Sequence, residues 1–201
     1  MTRSISWFVM TLLAVGVAGY AVVSLVVPGA RTGFVEELFA DTPIAIGLHL
    51  GGGAIAIVLG ALQFSTTLRN RYLAVHRRLG QIYILSVVAS GIAGLLLAIE
   101  STGGLVSHFG FGAMAVVWVF TALVAWRKVL DRDIEAHRAW MLRSYAVTLA
   151  AVTLRIYLPL SQIAGIPFEE AYPAISWMCW VPNLIIVEWF MIEKTRKVAH
   201  R

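Results

Sequence analysis

Charge is scarce in this chain, and so is cysteine. Only 13% of its 201 residues are Asp, Glu, Lys or Arg, against about 25% in an ordinary soluble domain. The single cysteine, Cys179, excludes any disulfide framework or paired-thiol site within one chain, and it reads as a small buried hydrophobe. No Cys-x-x-Cys-His segment occurs, which excludes covalent haem attachment of the c type. No Gly-rich phosphate loop is present, and no Ser or Cys has a nucleophile's context, so the sequence nominates no catalytic residue. The alternation of apolar and polar residues that marks membrane barrel strands is missing too.

Hydrophobic residues make up 59% of the chain. They gather into six stretches near the length of about 20 residues that crosses a bilayer. These lie at about 5–27, 43–66, 79–99, 104–126, 139–160 and 173–192. The expected fold is all-α, a polytopic membrane protein of six transmembrane helices forming one domain over residues 1–201. The first stretch is longer than the apolar part of a signal peptide, and Pro28 spoils a small-residue cleavage site, so it reads as a retained helix.

Basic residues set the orientation. With the N-terminus inside, the inner segments carry Arg3, Arg69, Arg71, Arg77, Arg78, Arg127, Lys128, Arg132 and Arg138. Lys194, Arg196, Lys197 and Arg201 join them at the end of the chain, and the outer segments carry Arg31 alone. This asymmetry places both termini in the cytoplasm. The acids Glu36, Glu37, Asp41, Glu169 and Glu170 then lie outside. The net charge of +5 accordingly reflects topology and lipid headgroups rather than nucleic acid.

Histidine is the exception in this apolar chain. His49-Leu50-Gly51-Gly52-Gly53-Ala54 recurs as His108-Phe109-Gly110-Phe111-Gly112-Ala113. Each copy is followed, 27 and 29 residues later, by a His-Arg pair, His76-Arg77 and His137-Arg138. The second to fifth helices thus carry one histidine each near their N-terminal ends. His49 and His108 enter a few residues below the outer surface, while His76 and His137 stand at the inner boundary, just before spans three and five. In an up-down four-helix bundle of helices two to five, built from a duplicated helix pair, helices two and four are diagonal, as are three and five. Two bis-histidine sites are expected, His49 with His108 and His76 with His137.

The stripes that follow these histidines are small. Gly52, Gly53, Ala56 and Gly60 share a helix face with His49; Gly80, Tyr83, Val87, Ser90, Gly91 and Gly94 follow His76. Such faces have two readings: room for a porphyrin between helices, or close helix packing with no cofactor at all. Arg155 lies 18 residues after His137, about 27 Å further along an unbroken helix and on the same face. There it binds a haem propionate or snorkels to the outer interface, with Pro159 ending the helix soon after. Arg143 and Glu188 fall at similar depths on spans five and six, which predicts a structural ion pair. Gln63 and Tyr83 point to the core, Trp118, Trp126, Trp177, Trp180 and Trp189 read as interfacial or packing aromatics, and His200 is a solvated tail residue.

Two resemblances follow from these residues. Gly60-Ala61-Leu62-Gln63-Phe64, Arg69, His76-Arg77-Arg78-Leu79-Gly80 and His137-Arg138-Ala139-Trp140-Met141-Leu142-Arg143-Ser144 resemble an uncharacterised bacterial family of predicted membrane proteins, domain of unknown function 2306. That likeness covers about residues 43–160 and implies no activity; it implies the bacterial cytoplasmic membrane. The four-histidine layout, with Ser107-His108 and Gly110, also resembles the transmembrane ascorbate-reducible diheme cytochrome b family. That second likeness implies six helices and two haems held by helices two to five. The family's ascorbate-binding segment has no counterpart here.

The reading that results is a candidate diheme b-type electron carrier in the lipid bilayer. Its site residues are His49, His108, His76, His137 and Arg155; its cofactors are two non-covalent haem b groups; its donor is a quinol or a small soluble reductant. Any enzymatic role is that of a haem-dependent transmembrane oxidoreductase. The alternative is a cofactor-free membrane protein, a small transporter or accessory subunit, whose histidines carry protons or pack.

Overall fold

The computed structural model describes residues 2–31 and 33–199, with side chains for residue 5, 7–31 and 33–192. Met1, Thr32, His200 and Arg201 therefore lie outside the described residues, as do the side chains of Arg3, Lys194, Arg196 and Lys197. The solvated tail histidine expected at His200 falls among them.

The described residues are helical and contain no strand. In order they form α1 (Thr2–Val26), α2 (Gly33–Asp41), α3 (Pro43–Gln63), α4 (Thr66–Arg71) and α5 (Leu73–Ile99). There follow α6 (Gly104–Leu130), α7 (Ile134–Thr148), α8 (Ala150–Ile163), α9 (Phe168–Met178) and α10 (Val181–Ala199). Six spans are long and apolar enough to cross a bilayer, the last two each built from two consecutive helices, α7–α8 and α9–α10. Leu12, Leu85, Phe109 and Trp189, from four of the spans, are each at least 60% exposed. Apolar surface on that scale needs lipid rather than water around it.

Two spans begin earlier than hydropathy suggests. The third starts at Leu73 and the fifth at Ile134. His76 and His137 consequently sit inside the first turn of their helices rather than just before them. The cause in span five is a cap: Asp133 accepts the Ala136 N–H at 3.0 Å, which starts the helix in polar sequence.

The chain divides into two compact units, Met1–Glu100 and Ser101–Arg201. In the first, α3 packs against both α1 and α5. The small stripes of α3 and α5 meet face to face: a Cβ on Gly52 would lie 2.9 Å from Ser90 Cβ and 3.0 Å from the Ser86 carbonyl oxygen. The α3 and α5 stripes thus pack closely on each other. Ala56, Ile57, Tyr83, Val87 and Ser90 complete the buried seam. Gly52→Ala should therefore destabilise the protein by about 1–2 kcal/mol, because a backbone carbonyl cannot move aside. Gly53→Ala meets only Ser90 Oγ at 3.6 Å and should leave thermal unfolding in detergent unchanged.

In the second unit α6 packs on α7 and α9, α8 on α9, and α10 on α7. Its core gathers Ala150, Ala171, Ile175, Cys179 and Trp180, with Phe111, Met114, Leu154 and Leu158 against them. Trp118 and Trp180 are buried packing aromatics, whereas Trp177 and Trp189 are exposed. Pro159 does not end span five; α8 continues through it to Ile163.

Candidate functional site

All four histidines of the spans are partly buried on helices, and their rings are held in different ways. His49 on α3 is tied to α5 by a reciprocal pair of bonds. Its Nδ1 donates to the Ser90 carbonyl at 3.0 Å, and Ser90 Oγ donates back to the His49 carbonyl at 2.8 Å. The ring lies flat enough on α5 that a Cβ at Gly94 would stand 2.9 Å from Nδ1. Glycine is needed there for that close approach.

His137 on α7 repeats the arrangement in the second unit, with Nδ1 donating to the Ala125 carbonyl of α6 at 2.9 Å. A carbonyl only accepts, so in the neutral ring Nδ1 carries the proton and Nε2 the lone pair. That is the tautomer of a metal-bound histidine whose outer nitrogen is fixed by a backbone oxygen. His108 differs. It is Nε2 that donates, to the Ser101 carbonyl at 2.8 Å, so the lone pair is on Nδ1. The sequence repeat makes His49 and His108 equivalent, yet their rings present opposite nitrogens. His76 sits one turn into α5 with Nδ1 buried.

Three residues of those four thus have a defined environment on their own unit. The expected pairs His49–His108 and His76–His137 each take one member from either unit. Arg155 lies beyond the interruption of span five at Leu149, and its Nη1 donates to the Ala151 carbonyl of its own helix at 2.9 Å. The unbroken helix that put it on the His137 face is therefore not the one present.

Sequence reading missed a multiply bonded polar residue of the second unit, Asn183. Its amide nitrogen, with two protons to donate, lies within hydrogen-bond reach of the Cys179 carbonyl (3.0 Å), Thr153 Oγ1 (3.1 Å) and the Ala146 carbonyl (3.2 Å). Ala146 and Thr153 lie on either side of the interruption at Leu149, and Cys179 lies within the second, at Cys179–Trp180. Pro182 explains the second one: it has no N–H to give the Met178 carbonyl four residues back. Nearby, Trp118 Nε1 donates to Thr148 Oγ1 at 2.8 Å, and Thr148 donates on to the Ser144 carbonyl at 2.9 Å. The visible signal was an Asn directly after a Pro in an apolar span.

The expected Arg143–Glu188 pair is present and bidentate, Nε to Oε1 at 2.5 Å and Nη2 to Oε2 at 2.9 Å. The guanidinium also stands 4.6 Å from the Trp140 ring centroid. Gln63 Nε2 and Ser107 Oγ are buried without a hydrogen-bond partner among the described residues. No group of three or more His, Cys, Asp or Glu able to hold a metal ion occurs among those residues.

One family model matches the chain: a family described as predicted membrane protein (DUF2306), over residues 46–191. No curated protein and no solved structure matches.

Proposed function

The chain belongs to the DUF2306 family of predicted membrane proteins, and from that premise we propose that this integral membrane protein is a diheme b-type electron carrier. The observation that supports the reading most is the shared tautomer of His49 and His137, each with Nδ1 spent on a neighbouring helix's carbonyl. In the neutral rings Nε2 then carries the lone pair, and each ring is anchored through Nδ1. These two residues fit an axial haem ligand. His108 fits once its ring releases the Ser101 carbonyl, at the cost of one hydrogen bond of about 1 kcal/mol. The ligand sets are those the spacing pairs, His49 with His108 and His76 with His137.

Haem supplies the one-electron chemistry when bound. The chain's own contribution is to fix two imidazoles through backbone oxygens, raise their basicity and keep water away with apolar spans. A bacterial cytoplasmic membrane with both termini inside, the orientation of the positive-inside rule, belongs to the same proposal. The donor is a quinol or a small soluble reductant.

Substitution of the ligands tests this. In protein purified with adequate haem supply, His49→Ala or His108→Ala should each remove one of two haems from the dithionite-reduced minus oxidised spectrum, and His76→Ala or His137→Ala the other. Both haems retained in a folded His49→Ala or His137→Ala variant would contradict the ligand assignment.

A specific feature favours the second reading, a cofactor-free transporter. Spans five and six are both interrupted, and interrupted helices bridged by polar side chains are how many transporters build a midplane site. Here the amide protons of Asn183 already go to protein acceptors beside both interruptions. The haem reading is preferred on that ground.

A further inference from the structure

The first unit carries an open groove of about 370 Å³ between the start of α3 and the second half of α5. Its volume falls within the range of roughly 300–1,000 Å³ typical of small-molecule sites. The missing side-chain volume is that of Ala45, Ala89 and Ala93, and Ile44, Leu48 and Leu96 stand at its sides. Those three side residues are more than half exposed, so the groove opens toward lipid. Its polar end is made by Asp41 and Thr42.

The chemistry of the lining selects an occupant. Asp41 offers a carboxylate, and Thr42, whose hydroxyl proton goes to the Leu38 carbonyl at 3.0 Å, offers oxygen lone pairs. Both accept hydrogen bonds, and no cationic side chain lines the groove. Phosphate and carboxylate headgroups are therefore repelled, while a neutral body bearing hydroxyl donors is accommodated.

We propose that this groove is a docking site for a neutral isoprenoid hydroquinone, its hydroxyl donating to Asp41 and its ring lying over Ala89 and Ala93. The choice of a hydroquinone over another hydroxylated lipid rests on the electron-carrier reading above. The binding geometry does not: it rests on the acceptor-only polar end, the apolar walls and the opening to lipid.

The test uses the full-length protein in nanodiscs made without quinone, with a short-chain azido-benzoquinol as photoaffinity probe and mass spectrometry to map the label. Label should appear within residues 41–48 and 89–96 and be displaced by unmodified decylubiquinol. Ala93→Phe and, as a second filler on the more exposed side, Ala89→Phe should reduce it to the level of a sample with excess competitor. Asp41→Asn should weaken displacement by the hydroquinone more than by the quinone, which has no hydroxyl to donate. Label elsewhere, or label unchanged in both filled variants, would overturn the site. An absorbance spectrum of the same samples separates the two proposals. Haem bands without label in the groove refute the docking site and leave the carrier standing; label in the groove without haem bands upholds the site and refutes the carrier.

Discussion

Arg143→Met should destabilise the protein by about 2–3 kcal/mol, because it strands the Glu188 carboxylate inside the membrane. Arg143 lies nine residues into its span and Glu188 four residues from the end of its own, about 13 Å and 6 Å from the span ends at helical rise. The pair is only partly covered, with 23% and 43% of its side chains exposed, but in a membrane the open side meets hydrocarbon and headgroups rather than bulk water. A singly ionised partner there has three routes: protonation, snorkelling, or separating α10 from α7. Each costs free energy. The double variant Arg143→Met, Glu188→Met removes both charges, keeps comparable volume and should recover most of the loss. A double-mutant cycle by chemical unfolding in detergent should therefore give a coupling above about 1 kcal/mol. Additive losses would mean that the two residues act independently.

Asn183→Leu should cost about 2 kcal/mol, and its effect should be seen at Cys179. One amide ties α7, α8 and the end of α9 to α10 through three oxygens. Individual bonds between membrane helices are worth about 0.6 kcal/mol on average, so the estimate comes from losing several at once and leaving buried carbonyls unsatisfied. Leucine fills the space and supplies no donor. Cys179 is fully buried at the C-terminal end of α9, and its carbonyl is one of the three acceptors. Loosening the interruption should make this thiol react with N-ethylmaleimide in folded protein, whereas the parent chain should stay unlabelled. An unreactive thiol with unchanged stability in Asn183→Leu would show that Pro182 alone maintains the interruption.

The spans were legible because lipid imposes a simple rule: about twenty apolar residues, all backbone groups paired within the helix. Hydropathy marks where hydrocarbon begins, not where a helix begins. That is why Leu73 and Ile134 lie upstream of the expected starts, in polar turns rich in His and Arg. The Arg143–Glu188 pair was legible since opposite charges in apolar spans at matching depth have few other partners. The interruption at Leu149 was not, because no Pro or Gly marks it, and Asn183 meets the Ala146 carbonyl beside it from 37 residues away. Nor could spacing distinguish His49 from His108. Their sequence contexts repeat, and only the neighbouring carbonyls, Ser90 in one case and Ser101 in the other, set which nitrogen carries the proton. Ser90 itself was read as one member of a small stripe, although it is the partner that holds the His49 ring.

The central claim is that the histidines of the spans hold iron through haem, and haem content measures it directly. Protein expressed with ample haem, purified in mild detergent and assayed for haem b against polypeptide should contain two haems per chain and show b-type bands on dithionite reduction. Polypeptide that elutes as a folded species yet carries no haem, and gives a featureless difference spectrum, would contradict the account.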